Sequence, residues 1–310
     1  MRVSPPHTMD LRQLRTFVQV AEAGSFSKAA LILDVAQPAL SRQVRQLETE
    51  LRETLLLRHG RGVALTEAGQ RLLAHGRAIL QQVEVARSEV AAGRDEPAGQ
   101  IAIGLPPSLA RQWTLPLIQA FQIQMPKARC AIIEGFSMHI SEWLSDGRLD
   151  LGLLYNPEPS AQVSTRPLIE EALCLVSPVA ADVGQDSSQD LAGPVRFAQL
   201  SGLPLVMPQR GHTFRKLMET QAALHGVQLN VVWEVSSVGV IPDLVRAGLG
   251  HAALTAGAVR AHGELQHLRV RPIEAPQIIS TLCLAEPAQR RSTPLTRRTA
   301  QLLEAMARSS

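Results

Sequence analysis

Between Leu11 and Leu51 the apolar residues keep the helical period through three short runs, and turn residues cut the pattern twice, so the segment is restricted to a small three-helix domain. Leu11, Leu14, Phe17, Val18 and Ala21 share one helix face until Gly24 breaks it. Ser25 or Ser27 can cap a second helix, "SKAALIL", whose Ala29, Ala30 and Leu33 allow close packing. The third starts at Gln37 or Pro38, where a missing amide N–H costs nothing. Its Leu40, Val44, Leu47 and Leu51 form the core side, and Gln37, Ser41, Arg42 and Arg45 fan across the other.

That outer side is unusual for a merely solvated helix. Gln and Arg can make paired hydrogen bonds to base edges, Ser can bond phosphate or base, and short, closely spaced helices are the helix-turn-helix arrangement that sets the second helix in the major groove. The following "LLLRHGRGVALT" puts Arg58 and Arg61 on a Gly-rich turn between apolar flanks, matching a two-stranded wing beside the minor groove. Residues 1–66 hold 9 basic and 6 acidic side chains, while the remainder holds 22 of each, so the net charge of +3 lies wholly in this segment. That distribution suits a polyanion-binding module on a neutral body. The competing reading is a plain three-helix packing module.

"MDLRQLRTFVQVAEAGSFSKAA", "QPALSRQVRQLE" and "RGVALTEAGQRLLAHGRAIL", in this order and spacing, resemble the winged helix-turn-helix of LysR-type transcriptional regulators. The resemblance implies that Gln37, Pro38, Ser41, Arg42 and Arg45 belong to the recognition helix, Arg58 and Arg61 to the wing, and Thr66 to a phosphate contact. Ala36 departs from the family, many of whose members carry a serine cap there. Losing that cap costs about 1 kcal/mol, which Asp34 is expected to offset. "AQPALS" and "PLIQAF" are most similar to the nitrogen-assimilation-control subgroup, some members of which need no effector.

From Thr66, a capping residue followed by Glu67, a long helix is expected to run to Gly93. Leu72, Gly76, Ile79, Val83, Ala86 and Val90 make an a/d seam on a rod roughly 40 Å long, too long to be covered by the small domain before it. The seam needs either a second copy of the chain or the chain's own remainder. The resemblance implies an antiparallel dimer contact, and a dimer would read a two-fold symmetric operator.

Beyond the polar hinge "GRDEPAG", strand-like and helix-like runs alternate: "QIAIGL", "LPLIQAFQIQ", "ARCAIIEG", "HISEWLSDG", "LDLGLLY", then "LPLVMP", "TFRKLMETQAALHG", "LNVVWEV", "GVIPDLVRAG", "HAALTA" and "IISTLCLA". Such alternation predicts an α/β domain with mainly parallel strands, "DVGQDSSQDLAG" being a surface insertion. The expected organisation is a DNA-binding domain over 9–66, a linker helix over 67–92, a hinge over 93–99 and an effector domain over 100–310. Within the last, lobe I covers about 100–165 and 275–310 and lobe II about 166–274, which resembles the family's two-lobe effector domain, itself similar to periplasmic binding proteins.

Ligands of such folds sit beyond the carboxyl ends of strands, against helix N-termini. That places Ser108 and Leu109, Tyr155 and Asn156, Gln209, His212 and Thr213, and Ser236 and Ser237 around one cleft for a small anion. Taken singly, the serine, threonine and asparagine among them are the ordinary types for caps and turns.

Other classes find less support. The longest uncharged run, "QWTLPLIQAFQIQMP", has fifteen residues, short of the roughly 18–20 that span a bilayer. "MRVSPPHT" has no apolar core and reads as a loose leader rather than a signal. Cys130, Cys174 and Cys283 are too scattered for a metal knuckle or redox pair and are expected as buried thiols of a cytoplasmic protein. "GFSMH" is not GxSxG, and HExxH and P-loop strings are absent. "GLGHAA" matches GxGxxA as a string but follows a helix and precedes a strand, the wrong polarity for a dinucleotide fingerprint, and its His251 and Thr255 depart from the family's usual block. The expectation is therefore a regulator and not an enzyme, with no cofactor, metal or catalytic residue. Its partners are double-stranded DNA, itself as dimer or tetramer, a small effector and, by resemblance, RNA polymerase. The alternative is a two-lobe small-molecule-binding protein or enzyme with a helical appendage.

Overall fold

In the computed structural model, which describes residues 9–60, 62–91, 97–179, 193–260, 263, 267–290 and 292–309 (backbone alone at 84, 85 and 87–91), Asp10 opens the first helix through a capping box. Its carboxylate accepts the Gln13 N–H at 2.7 Å, and the Gln13 side chain accepts the Asp10 N–H at 3.0 Å. Helix α1 (Leu11–Ala23) ends at Gly24, whose φ of 62° is left-handed. Ser25, not Ser27, caps α2 (Phe26–Leu33). Helix α3 (Gln37–Leu51) follows with Pro38 in its first turn. Ala36 caps α3 without a side-chain bond, and Asp34 does not offset this: it sits at φ 52° as the C-terminal cap of α2, two residues before the α3 cap.

Phe17, Val20, Ala29, Leu40, Val44 and Leu47 form one core, whereas Leu51, at the end of α3, is 38% exposed. The buried Thr16 hydroxyl bonds the Gln43 side chain and fixes α1 against α3. The hairpin β1 (Leu56–His59) with β2 (Gly62–Leu65) is antiparallel. Gly62, at φ 138°, lies against the turn after α1, where a Cβ would come 2.4 Å from the Gly24 carbonyl oxygen. Thr66 caps α4 (Glu67–Ala91), its hydroxyl accepting the Gly69 N–H at 3.0 Å.

This small domain is one of two compact units. The second is organised by an eight-stranded sheet in which β4 (Ala128–Glu134), β3 (Gly99–Leu105), β5 (Leu151–Tyr155), β12 (Ile279–Pro287), β6 (Val163–Pro178), β11 (Leu268–Glu274) and β7 (Val195–Arg196) follow one another, with β10 (Ala252–Thr255) also on β6. A separate parallel pair joins β8 (Leu205–Pro208) to β9 (Val231–Val235). The expected mainly parallel sheet is corrected to a mixed one. Strands β3, β4 and β5 are parallel, but β6 runs antiparallel to β12 along its first half and to β10 and β11 along its second. One sixteen-residue strand thus serves both halves of the unit.

Helices α5 (Pro107–Gln124), α6 (Ser137–Ser145) and α10 (Pro294–Arg308) accompany the first half of the sheet. Helices α7 (Thr213–His225), α8 (Ile241–Arg246) and α9 (Ala256–Arg260) come after β8, β9 and β10 respectively. Gly248 and Gly250 come between α8 and β10, so "GLGHAA" does run from helix to strand, and a Cβ on Gly250 would come 2.7 Å from the Pro204 carbonyl oxygen. Among the described residues no helix is long and apolar enough to cross a membrane. The segments 1–8, 93–96 and 182–192, read as leader, hinge and insertion, lie outside the described residues wholly or in large part.

Candidate functional site

Burying Leu40, Val44 and Leu47 forces the opposite side of α3 outward, and there Gln37, Pro38, Arg42 and Arg45 are exposed and Ser41 half-buried. Arg58, expected on the wing, lies on its base strand β1 and reaches back to α3. Its guanidinium donates to the Ser41 hydroxyl at 3.1 Å and lies over the Phe26 ring, 4.5 Å from the centroid. It therefore joins α2, α3 and β1, holding wing and recognition helix at a fixed separation. Glu48, which sequence reasoning did not single out, does the same from the far end of α3, one carboxylate oxygen accepting the N–H groups of Leu55 at 2.9 Å and Leu56 at 3.1 Å. The Thr66 hydroxyl is engaged internally, donating to the Thr54 carbonyl at 2.7 Å besides capping α4. Arg61 lies outside the described residues.

The seam of α4 divides in two. Leu73 is buried in the core of the small domain, Leu72 and Leu80 pack against it, and Gly76 abuts α1, where a Cβ would lie 2.9 Å from Val18 Cγ2 and 3.1 Å from Leu14 Cδ1. Leu72 and Gly76 thus belong to an internal contact rather than to a seam for a partner, because a residue without a side chain lets two helices approach closely and supplies no knob. Ile79 (39% exposed), Val83 and Ala86 retain accessible surface, and the Val90 side chain lies outside the described residues.

In the second unit, segments that follow β3, β4, β5 and β8 enclose a cavity of about 730 Å³. Ser108, Tyr155, Asn156, His212 and Thr213 line it together with Phe136, Met138, Leu154, Phe214 and Val238. Leu109 faces instead a smaller cavity of about 140 Å³ that shares Ser108 and Tyr155 with the first. Gln209, Ser236 and Ser237 are exposed and lie off both walls. Gln209 is spent on a turn, its backbone bonding Val235 and His212. The two serines stop short because the chain enters a one-turn 3-10 helix (Val238–Val240) that sends Val238 inward in their place.

Several lining groups already have partners. Asn156, at φ 45°, donates its amide to the Ser280 hydroxyl at 3.1 Å and accepts the Thr281 N–H at 2.8 Å, so it fastens β5 to β12. The Tyr155 hydroxyl bonds Ser108, and burial, with the nearby Glu171 charge adding to it, raises its pKa. His212 caps α7, its Nδ1 accepting the Phe214 N–H at 3.2 Å, and burial pushes its pKa down to about 4. The ring is therefore neutral near pH 7 with its proton on Nε2. Glu158 and Lys216, the charged side chains of the lining, are exposed at the rim and paired with each other, and that bond and charge hold the Glu158 carboxyl below its ordinary range.

No periodicity marks Phe136, Ser137, Met138, Glu158 or Lys216, and sequence reasoning missed them. The one signal was "GFSMH", set aside as a failed nucleophile motif, which enters α6 along the cavity wall.

Residues 11–70 match the model of the bacterial regulatory helix-turn-helix protein, lysR family, and residues 94–308 match that of the LysR substrate binding domain. The chain belongs to the LysR family. It is accordingly a DNA-binding transcriptional regulator with an effector-binding domain, and not an enzyme. Within the LysR family it is 32% identical over 297 residues to the nitrogen assimilation regulatory protein Nac of Escherichia coli, covering 95% of this chain and 94% of that protein. It is also 32% identical to the Nac protein of Klebsiella aerogenes, over 82% of this chain and 80% of that one. These relatives agree with the subgroup resemblance of "AQPALS" and "PLIQAF". Among solved LysR-type structures, a full-length OxyR variant from Pseudomonas aeruginosa superposes with a TM-score of 0.78 at 27% identity, covering 97% of this chain and 95% of that one.

Proposed function

We propose that this regulator works in the cytoplasm as a homodimer or a dimer of dimers. It reads a two-fold symmetric operator with Gln37, Ser41, Arg42 and Arg45 in the major groove and Arg61 in the wing, and a small effector in the 730 Å³ cavity adjusts that reading. The observation that carries the proposal is the outer face of α3: Gln37 and Arg42 stand exposed in its N-terminal half, the part a recognition helix presents to base edges, with Arg45 exposed just beyond its midpoint. Arg58 and Thr66 are now read as residues that position this face, since the Arg58 guanidinium bonds Ser41 and the Thr66 hydroxyl is engaged within the domain.

Association is supported by the accessible Ile79, Val83 and Ala86 on α4. Effector control is supported by the cavity, whose walls come from the segments at the ends of β3, β4 and β5 on one side and from those after β8 and β9 on the other, so that a ligand binding two arrangements of those walls unequally would shift their balance.

The test is a quantitative shift assay on the chain's own promoter region. Arg42→Ala should lose about 1–3 kcal/mol of specific binding while non-specific binding falls far less. Undiminished operator affinity in that variant removes α3 from the groove.

A further inference from the structure

The full chain contains six Phe, three Trp and one Tyr, and three of these ten aromatic side chains meet at the cavity. Phe136, Tyr155 and Phe214 line it with His212. The rings form a continuous chain: Phe136 to His212 at 5.3 Å and 80°, His212 to Phe214 at 5.2 Å and 61°, and Phe214 to Tyr155 at 5.5 Å and 60°. Behind Phe136 the series continues through His139 to Trp143. Edge-to-face series of this kind extend by one more flat ring at the same spacing, about 4.5–7 Å between centroids.

We propose that the cavity takes a ligand with a flat aromatic ring carrying at most one acidic group, the ring inserted among Phe136, His212, Phe214 and Tyr155. The inference rests on the reading of this cavity as the effector site and names the chemical class of the effector.

The polar groups limit the rest of the molecule. Among the described lining residues the only cation is Lys216, which is already paired with Glu158 at the rim. A ligand with two or three carboxylates would have to bury charge for which the described lining offers helix N-termini but no unpaired cation. One acidic group can stay at the mouth by Lys216 while the ring is buried, and the His212 Nε2–H, its Nδ1 being occupied by the Phe214 amide, supplies a neutral donor to the ligand. Quaternary ammonium groups are disfavoured: a cage for them turns ring faces toward one point beside a free carboxylate, whereas these rings meet edge to face and Glu158 is engaged.

The full-length protein should be titrated by calorimetry and by saturation-transfer NMR with benzoate and trans-cinnamate, with their saturated counterparts cyclohexanecarboxylate and 3-cyclohexylpropionate, and with citrate and tetramethylammonium. The aromatic acids should bind in the millimolar range or tighter and several-fold better than the saturated acids. Phe136→Leu, which keeps the site apolar, should weaken the aromatic acids by about 2- to 10-fold and leave the saturated ones nearly unchanged. The proposal is overturned if the saturated acids bind as well, if citrate or tetramethylammonium is preferred, or if no aromatic acid binds at about 5 mM. The same samples, assayed on an operator fragment, read the parent hypothesis separately. An aromatic acid that binds the protein without altering operator affinity leaves the ring preference intact and refutes only control by that ligand.

Discussion

Removing the Glu48 carboxylate should loosen the wing without touching any base-facing side chain. One oxygen of Glu48 accepts two amides, Leu55 at 2.9 Å and Leu56 at 3.1 Å, and these residues are 1% and 5% exposed. Each buried N–H left without a partner costs about 1–3 kcal/mol, and water reaching the half-buried Glu48 position relieves part of that, so Glu48→Ala should destabilise the α3–β1 junction by about 2–4 kcal/mol. Glu48→Gln keeps an acceptor oxygen and should lose about 1 kcal/mol. The first Trp in the sequence is Trp113 and the single Tyr is Tyr155, so neither fluorophore reports on this domain. Amide hydrogen exchange does: opening of the wing should become roughly 30- to 700-fold more frequent in Glu48→Ala and about fivefold more frequent in Glu48→Gln. If exchange across residues 52–66 in Glu48→Ala matches the parent protein, the wing is held by its own hairpin and the argument from the shared oxygen fails.

Two further outcomes follow from positions where the structure separates neighbouring roles. Gly76→Leu should overpack against Val18 and Leu14 and cost about 1–3 kcal/mol of DNA-binding-domain stability, whereas Ile79→Glu, one turn on, should leave the melting temperature nearly unchanged and weaken self-association in sedimentation; the reverse pattern would return Gly76 to the interface. His212 titrates near 6.5 when unfolded and about 4 when folded, so the unfolded chain binds more protons between those values. Effector-domain stability should therefore be full above about pH 6.5 and fall by roughly 2–3 kcal/mol as pH drops toward 4. His212→Asn, which keeps a capping oxygen, should flatten that slope in urea unfolding followed by Trp fluorescence, and an unchanged slope would assign it to other groups.

The small domain was legible in the sequence because each of its helices covers its apolar face with the others. Once Leu40, Val44 and Leu47 share a stripe, the direction of Arg42 and Arg45 is fixed with no further information. The sheet of the effector domain was legible only where strands are short and fully buried, as in β5, whose five residues are all buried. Strand β6 escaped notice because "VSTRPLIEEALCLVSP" carries Pro167 and two glutamates and is largely exposed over its first half. A proline inside a strand normally argues against it. Here the register between β6 and β12 shifts at that point: Leu282 faces Ile169 while Cys283 faces Pro167, so Leu168 is the extra residue of a bulge that accommodates the proline. Likewise β11 holds Pro272 where its pairing passes from β6 to β7.

The misreadings of α4 and of the cavity have a common physical origin. Periodicity reports which residues of an element share a face, and it carries no information about what covers that face. On α4 the spacing of Leu72, Gly76, Ile79 and Val83 is regular, yet the small domain engages the first two, Gly76 against Val18 and Leu14 of α1 and Leu72 against the core, and the later residues keep more accessible surface. At the cavity the residues expected after each strand were capping types, chosen for what they do to nearby backbone; His212 does just that on α7, and Asn156 is spent on bonding β12. The side chains that give the site its character are Phe136, Phe214 and Val238, which stand just before α6, in the first turn of α7 and at the start of the 3-10 helix. Apolar residues at helix starts read as core in any sequence. Only the convergence of three such starts around one space turns them into a binding surface, so the chemistry of the effector is written in contacts among distant segments, while the chemistry of DNA recognition is written along a single helix.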